Sequence, residues 1–379
     1  MTGDNILIVA GEPSGDIHAA PVVHQLKRLN PGVSFWGTGG RLMRDAGVEL
    51  LADIDDLAVM GFSDIPRLLP TLARLRKTII RQIRARKTLL AVLVDYPGFN
   101  LNLARALKRL ATPPQVLQYI APQVWAWRAN RIRKMRGAID RLAVVFPFEV
   151  NIFQAEGIRV DFVGHPLLDE LEGSLRKEVA PKPPMTPLLA LLPGSRVQEV
   201  SRHLPVMTRA AELMRRELPE LKVGVSRAPG LEESLYHAYL GSGDRIRLYS
   251  DSHELLADAA VAAVCSGTAT LETALLGIPQ VVVYRTSPLN YRIARSFIRL
   301  DNIALVNVVA GKRIVTELIQ QDLKPERLAG ELLTLIGDAG RRAEISESYR
   351  TVGGKLGKPG AAGRVAAIIS EMMTTGKND

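Results

Sequence analysis

Residues Leu188 to Leu192 read LLALL, five consecutive apolar residues that stop at Pro193 and Gly194. A run this short falls below an ordinary helix and suits a strand buried on both faces. Ser195, Arg196 and Glu199 follow, then an amphipathic segment through Leu204, Met207, Ala211 and Met214. Strand, tight turn and helix form the repeating unit of a parallel α/β sheet. The turn lies at the carboxyl end of the strand, where such sheets bind ligands. Free N–H groups at the helix start favour an anion, and Arg196 offers a bidentate fork for phosphate. The same residues would also serve as a plain strand-to-helix turn with a surface arginine.

The unit recurs. Asn5–Ala10 (NILIVA) runs into Gly11-Glu12-Pro13-Ser14-Gly15-Asp16, and a helical pattern follows through Val22, Val23, Leu26 and Leu29. That turn lacks a full dinucleotide fingerprint and no GK[ST] follows, so a nicotinamide or ATP site is not indicated. Glu12 and Asp16 would repel phosphate and suit sugar hydroxyls or proton transfer; alternatively Asp16 caps the helix. Leu89–Val94 ends at Asp95-Tyr96-Pro97-Gly98-Phe99-Asn100, with Asp95 placed either for chemistry or as a turn residue. Val116–Ile120 leads to a loop carrying Trp125 and Trp127, a wall for a ligand or the neighbouring domain, or else ordinary core. Further strands are expected at Val33–Trp36, Leu142–Val145 and Asp161–Val163, the last ending at Gly164-His165-Pro166, where His165 is a base, a ligand contact or a structural hydrogen-bonder.

The second half repeats the alternation at Lys222–Val225, Arg247–Leu248, Ala262–Val264 and Gln280–Tyr284. After Cys265, Ser266-Gly267-Thr268 opens a helix, a turn small enough for backbone to approach a pyrophosphate. Glu272, one turn in, can accept from a ribose diol. Val306–Gly311 reads as a loop, and Ala361–Met373 as a helix.

One helix stands apart. From about Ile65 to Ile83, Ile65, Leu68, Leu69, Leu72, Leu75, Ile79, Ile80 and Ile83 fall on one stripe. Arg67, Arg74, Lys77, Arg81 and Arg84 lie off it, with no acidic residue between Asp64 and Asp95. A basic, leucine-rich amphipathic helix reads as a membrane-surface element; a core helix with a basic outer face is the alternative.

At 379 residues the chain is expected to form two domains. The stiff, proline-rich stretch Val179–Pro187 marks the boundary: an N-terminal α/β domain over 1–180, a C-terminal one over 187–350, and a terminal helix over 351–379 that crosses back to the first domain or to a partner. No apolar run approaches the roughly 20 residues that span a bilayer. The first residues carry no basic start and read as a first strand, and a single cysteine fits a reducing cytoplasm. The net charge of +10 suits anionic lipid or a phosphorylated substrate; nucleic acid is not indicated, with aromatics at 5% and no recognised module. No metal-ligand spacing occurs.

The motifs together resemble a known family. AGEPSGD (Ala10–Asp16), MGFSDIPRLLPTLARLRK (Met60–Lys77), DYPGFN (Asp95–Asn100), APQVWAWR (Ala121–Arg128), FPFE (Phe146–Glu149), FVGHP (Phe162–Pro166), LLPGSR (Leu191–Arg196), SGTATLE (Ser266–Glu272) and NVVAG (Asn307–Gly311) are similar, in this order, to lipid-A-disaccharide synthases. The resemblance implies a GT-B glycosyltransferase with two Rossmann-like domains facing a cleft. It implies an inverting transfer between UDP-2,3-diacylglucosamine and 2,3-diacylglucosamine 1-phosphate that yields a β-1,6 disaccharide phosphate and UDP. It implies peripheral contact with the inner face of the Gram-negative inner membrane, no cofactor and no required metal, and leaves room for a homodimer.

Carried onto this sequence, it makes Asp95 the first candidate base, with Glu12 and Asp16 in reserve. Donor contacts fall on Ser195, Arg196, Glu199, Ser266, Gly267, Thr268, Glu272 and Asn307. Acceptor and membrane contacts fall on Ile65, Arg67, Leu68, Leu69, Leu72, Arg74 and Leu75. Gly98 stands where the family often has a second acid, and His18 where an apolar residue is common. A related GT-B enzyme on another UDP-sugar, or a binding protein without turnover, is the competing reading.

Overall fold

The computed structural model describes residues 5–54, 65–122, 130–172, 186–240, 246–288, 291–292 and 302–375, without the side chains of 65–68 and 130–131. Two compact units result: Met1–Glu170 together with Leu356–Asp379, and Leu171–Lys355. The first unit therefore closes earlier than the expected boundary at 180 and regains the chain at its far end.

The first unit is built on a seven-stranded sheet, β1 (Asn5–Val9), β2 (Ser34–Gly39), β3 (Val48–Asp53), β4 (Leu90–Val94), β5 (Gln115–Tyr119), β6 (Arg141–Val144) and β7 (Val160–Phe162). Its order is β3-β2-β1-β4-β5-β6-β7, and every pairing is parallel. Strand β4 is buried along its whole length, which is why it reads as an unbroken apolar run. One face of the sheet carries the helices Ile65–Arg86 and Pro97–Leu107; Leu75, Ile79, Ile83, Leu103 and Leu107 pack there against Leu7, Trp36, Ala91 and Leu93. The last helix, Ala361–Thr375, lies along Pro13–Leu29. Asn30 Nδ2 donates to Ser370 Oγ at 2.6 Å, and Arg141 bridges Asp161 and Glu371 at 2.6 Å each.

Among its described residues the second unit has six strands, β8 (Leu188–Leu192), β9 (Lys222–Ser226), β10 (Ile246–Tyr249), β11 (Val261–Cys265), β12 (Gln280–Tyr284) and β13 (Glu317–Ile319). They run parallel in the order β10-β9-β8-β11-β12-β13. In each sheet the strand order reverses beside the first strand, between β1 and β4 and between β8 and β11. The crevice outside those strand ends is where a doubly wound sheet binds its ligand.

Candidate active site

In the first unit, the ends of β1 and β4 deliver Gly11-Glu12 and Asp95-Tyr96 side by side. Both Asp95 (φ +45°) and Tyr96 (φ +47°) adopt left-handed backbone, an arrangement that costs of order 1–3 kcal/mol at each non-glycine residue. Neighbours hold it in place. Asn100 Nδ2 donates to the Val94 and Asp95 carbonyls at 3.1 and 2.8 Å, Gln118 Nε2 donates to the Asp95 carbonyl at 3.2 Å, and the Asp95 N–H reaches the Tyr119 carbonyl at 2.9 Å. The Tyr96 ring sits so close over Gly11 that a Cβ there would come within 2.3 Å of it.

Burial pushes the Asp95 carboxyl above its ordinary range, while the charge of His18 and then the Tyr96 N–H pull it back down. A raised carboxyl is a stronger base, nearer neutral operating pH. His18 Nδ1 stands 3.3 Å from Glu170 Oε1 without the alignment of a hydrogen bond. The residue singled out in sequence as a departure thus lies within the electrostatic reach of the candidate base. His165 is held as a structural hydrogen-bonder: burial, then His18, lower its imidazole to about 3, and its Nδ1 accepts the Leu167 N–H at 3.2 Å.

Asp16, named in sequence as a reserve for proton transfer, has a structural task in the fold. Its carboxylate is buried and accepts three backbone N–H groups, from Gly40 (2.7 Å), Met43 (3.0 Å) and Leu42 (3.0 Å). It caps the short Arg41–Asp45 helix, whose own N-cap residue, Gly40, has no side chain to do so. Glu12 is exposed at the N-cap of Pro13–Leu29, near enough to Tyr96 that its charge, after burial, raises the phenol.

The apolar stripe of Ile65–Arg86 divides. Leu75, expected at the membrane, is buried in the core with Ile79 and Ile83, because the sheet needs cover on that face; Leu72 is partly buried against the same cluster. Leu69 is 58% exposed, and Arg74, Lys77, Arg81 and Arg84 face outward. The side chains of Ile65, Arg67 and Leu68, and the whole of Trp125 and Trp127, lie outside the described residues.

In the second unit, β8 and β11 bring Pro193–Glu199 and Ser266–Glu272 to adjacent strand ends. Gly194 has φ +121°, and a Cβ there would come within 2.6 Å of Glu199, so the turn admits only glycine. Arg196 is 72% exposed, with Nη1 3.1 Å from Glu199 Oε1. Glu199 Oε2 accepts the Ser195 and Arg196 N–H groups at 3.0 and 3.3 Å. Those are the donors expected to meet an anion, so Glu199 holds the turn closed on itself, and a phosphate must exchange with its carboxylate to use them. Ser266 Oγ donates to the Ile303 carbonyl at 2.9 Å, and beside Gly267 the space is open. Glu272 Oε1 accepts from Ser252 Oγ at 3.0 Å and lies 3.1 Å from His253 Nε2.

Asn307 departs from expectation. Residues Leu305–Ala310 form a helix, not a loop, and Asn307 is fully buried in it. Its Nδ2 donates to Val315 O and Glu317 Oε1 (3.0 and 2.8 Å), and its Oδ1 accepts the Ile314 and Val315 N–H groups (2.8 and 3.1 Å). An amide has two donors and two lone pairs, all spent here, so none remains for a donor sugar. Glu317 in turn accepts the Ile303 and Ala304 N–H groups, both at 3.1 Å, so Asn307 steadies the segment on which Ser266 leans. Gln118 and Glu317 carried no motif signal beyond their places in strands, and Asn100 closes the DYPGFN motif without a role of its own being read there. Among the described residues no three His, Cys, Asp or Glu side chains converge on a cation position.

The profile of the family described as Lipid-A-disaccharide synthetase matches residues 6–361. The chain belongs to the lipid-A-disaccharide synthase family. A lipid-A-disaccharide synthase from Syntrophus aciditrophicus is 41% identical over 382 residues, covering 97% of each chain. In fold, this family member is similar to a UDP-GlcNAc 2-epimerase from Neisseria meningitidis solved with UDP-GlcNAc (TM-score 0.62, 14% identity, 98% of this chain and 100% of that one). It is also similar to the calicheamicin glycosyltransferase CalG4 (TM-score 0.61, 17% identity, 99% of each). The lipid-A-disaccharide synthase architecture is thus of GT-B type, two α/β units each built on a parallel sheet.

Proposed function

We propose that this glycosyltransferase joins UDP-2,3-diacylglucosamine to 2,3-diacylglucosamine 1-phosphate, giving the β-1,6-linked disaccharide 1-phosphate and UDP. The observation that carries the mechanism is Asp95, a carboxylate at the switch point of its sheet whose affinity for a proton is raised by burial and moderated by His18. The acceptor's 6-hydroxyl attacks the donor's anomeric carbon while Asp95 takes its proton. The bond from that carbon to the diphosphate oxygen breaks, and the electron pair leaves with UDP. Charge gathering on the diphosphate is met by Arg196 and the backbone N–H groups of Ser266–Thr268, with Glu272 toward the ribose. Glu12, exposed beside Tyr96, is placed to orient acceptor hydroxyls.

Contact with an anionic bilayer falls to the outward face of Ile65–Arg86, where Arg74, Lys77, Arg81 and Arg84 have no acidic neighbour along the helix. No helix among the described residues is long and apolar enough to cross a membrane, so the contact is peripheral in this reading.

A transfer assay with both lipids in mixed micelles, with and without EDTA, tests the reaction. Equal yields of disaccharide phosphate and UDP, unchanged by EDTA, are expected. Donor binding without product would replace transfer by binding alone.

A further inference from the structure

His203 lies on the Val197–Glu217 helix, fully buried, and both of its ring nitrogens are engaged by main chain. Arg285 N–H donates to Nε2 at 2.8 Å. A backbone N–H can only donate, so Nε2 is the bare nitrogen and Nδ1 carries the hydrogen. That hydrogen points at the Pro193 carbonyl, 2.8 Å away. The tautomer is therefore set by its partners. Burial, the larger influence, lowers the imidazole below its usual range and keeps the ring neutral, as this pairing requires.

The two carbonyl and amide groups belong to different strand exits. Pro193 follows β8 and Arg285 follows β12, while β11 lies between those strands in the sheet. The ring thus spans the exit that carries Ser266–Thr268. At the far side the link continues. Arg285 Nε donates to the Gln320 carbonyl at 3.3 Å, and Gln320 Oε1 accepts the Thr286 N–H at 3.0 Å. The near side is the Pro193–Arg196 turn, which Glu199 braces from within. Through its ring, His203 ties that turn to the exit of β12.

We propose that His203 is a positioning residue for the donor, locking the Pro193–Arg196 turn to the exit of β12 so that a nucleoside diphosphate meets both the arginine turn and the Ser266 turn at one fixed spacing. The inference rests on the reading that this sheet edge binds UDP.

Two conservative substitutions separate the two bonds. Asparagine can place a donor near Nδ1 and keep the Pro193 bond; glutamine can place an acceptor near Nε2 and keep the Arg285 bond. A bridge needs both. His203→Asn and His203→Gln are each expected to weaken UDP binding about five- to tenfold by calorimetry, the effect of one lost hydrogen bond. KM for the lipid acceptor should stay within about twofold of wild type. UDP affinity unchanged in both variants, with Arg196→Ala weakening it, would overturn the bridge while leaving the donor site in place. UDP affinity unchanged in Arg196→Ala as well would remove the donor reading and this inference with it. Should either variant fail to fold, nitrogen-15 spectra of the wild-type histidines provide the test. The His203 signals are expected to show the Nδ1–H tautomer and to shift on addition of UDP; a ring indifferent to UDP would refute the proposal.

Discussion

The Asp16 carboxylate accepts the Gly40 N–H at 2.7 Å, joining the helix after β1 to the start of the helix after β2. An acidic residue in a glycine-rich turn invites a catalytic role, yet this one is spent on three backbone donors. Asp16→Ala is expected to destabilise the first unit by about 2 kcal/mol, as loss of a charged cap does. Thermal melting measures that loss. The acid limb of the rate profile should keep its position, because the side chain moves no proton; a displaced limb would return Asp16 to the chemistry.

Asp95→Asn and Asp95→Ala are expected to lower kcat by about 10²–10⁴, the usual worth of a general base, with UDP binding intact. Near-wild-type turnover in both would exclude Asp95 as the base. His18 adds a signed prediction. Its charge holds the Asp95 carboxyl down, so His18→Asn should let that carboxyl rise and move the acid limb of kcat/KM to higher pH. A limb that stays put, or moves the other way, would separate His18 from the base.

His165 predicts the response of stability to acid. Its folded imidazole, lowered to about 3 chiefly by burial, titrates below its unfolded value near 6.5. The unfolded chain takes up the proton first, so the stabilisation is complete above the unfolded value and is lost as pH falls from about 6.5 toward 3. The loss runs at about 1.4 kcal/mol per pH unit. His165→Asn retains an acceptor for the Leu167 N–H and lacks the titration. Chemical denaturation across this range should give a shallower decline for the variant; parallel curves would mean another group dominates.

The divided helix separates charge from packing. Replacing Arg74, Lys77, Arg81 and Arg84 together by glutamine should weaken binding to phosphatidylglycerol vesicles by about 1 kcal/mol per residue at low salt and leave the melting temperature nearly unchanged. Leu75→Ala should do the opposite, costing about 2–5 kcal/mol of stability as a buried leucine and sparing vesicle binding. Equal vesicle binding by the glutamine variant and wild type would move the contact elsewhere.

Much of the scaffold was legible because parallel strands buried on both faces read as short apolar runs. Leu90–Val94, Leu188–Leu192 and Val261–Cys265 are wholly buried and stand out for that reason. Edge strands gave weaker signals. Val48–Asp53 is mostly half-exposed, and Glu317–Ile319 is three residues long, so neither declares itself by hydropathy. Polar roles were the least legible. Nothing local to Asp16 points to Gly40, and nothing local to Asn307 points to Val315 and Glu317. Those partners are chosen by the close approach of separate segments. The stripe at 65–83 was correctly periodic, but periodicity does not say whether a bilayer or a sheet will cover it.

The return of Ala361–Thr375 to Pro13–Leu29 orders the events of synthesis. Chains emerging from a ribosome ordinarily fold their first domain first. Here the first unit lacks one of its covering helices, with Ser370 and Glu371, until all of Leu171–Lys355 has been made. The second unit, contiguous in the chain, has every part it needs earlier. Folding is thus expected to finish in the reverse of the order of translation, and a fragment cut after Glu170 leaves an incomplete first unit that still awaits its last helix.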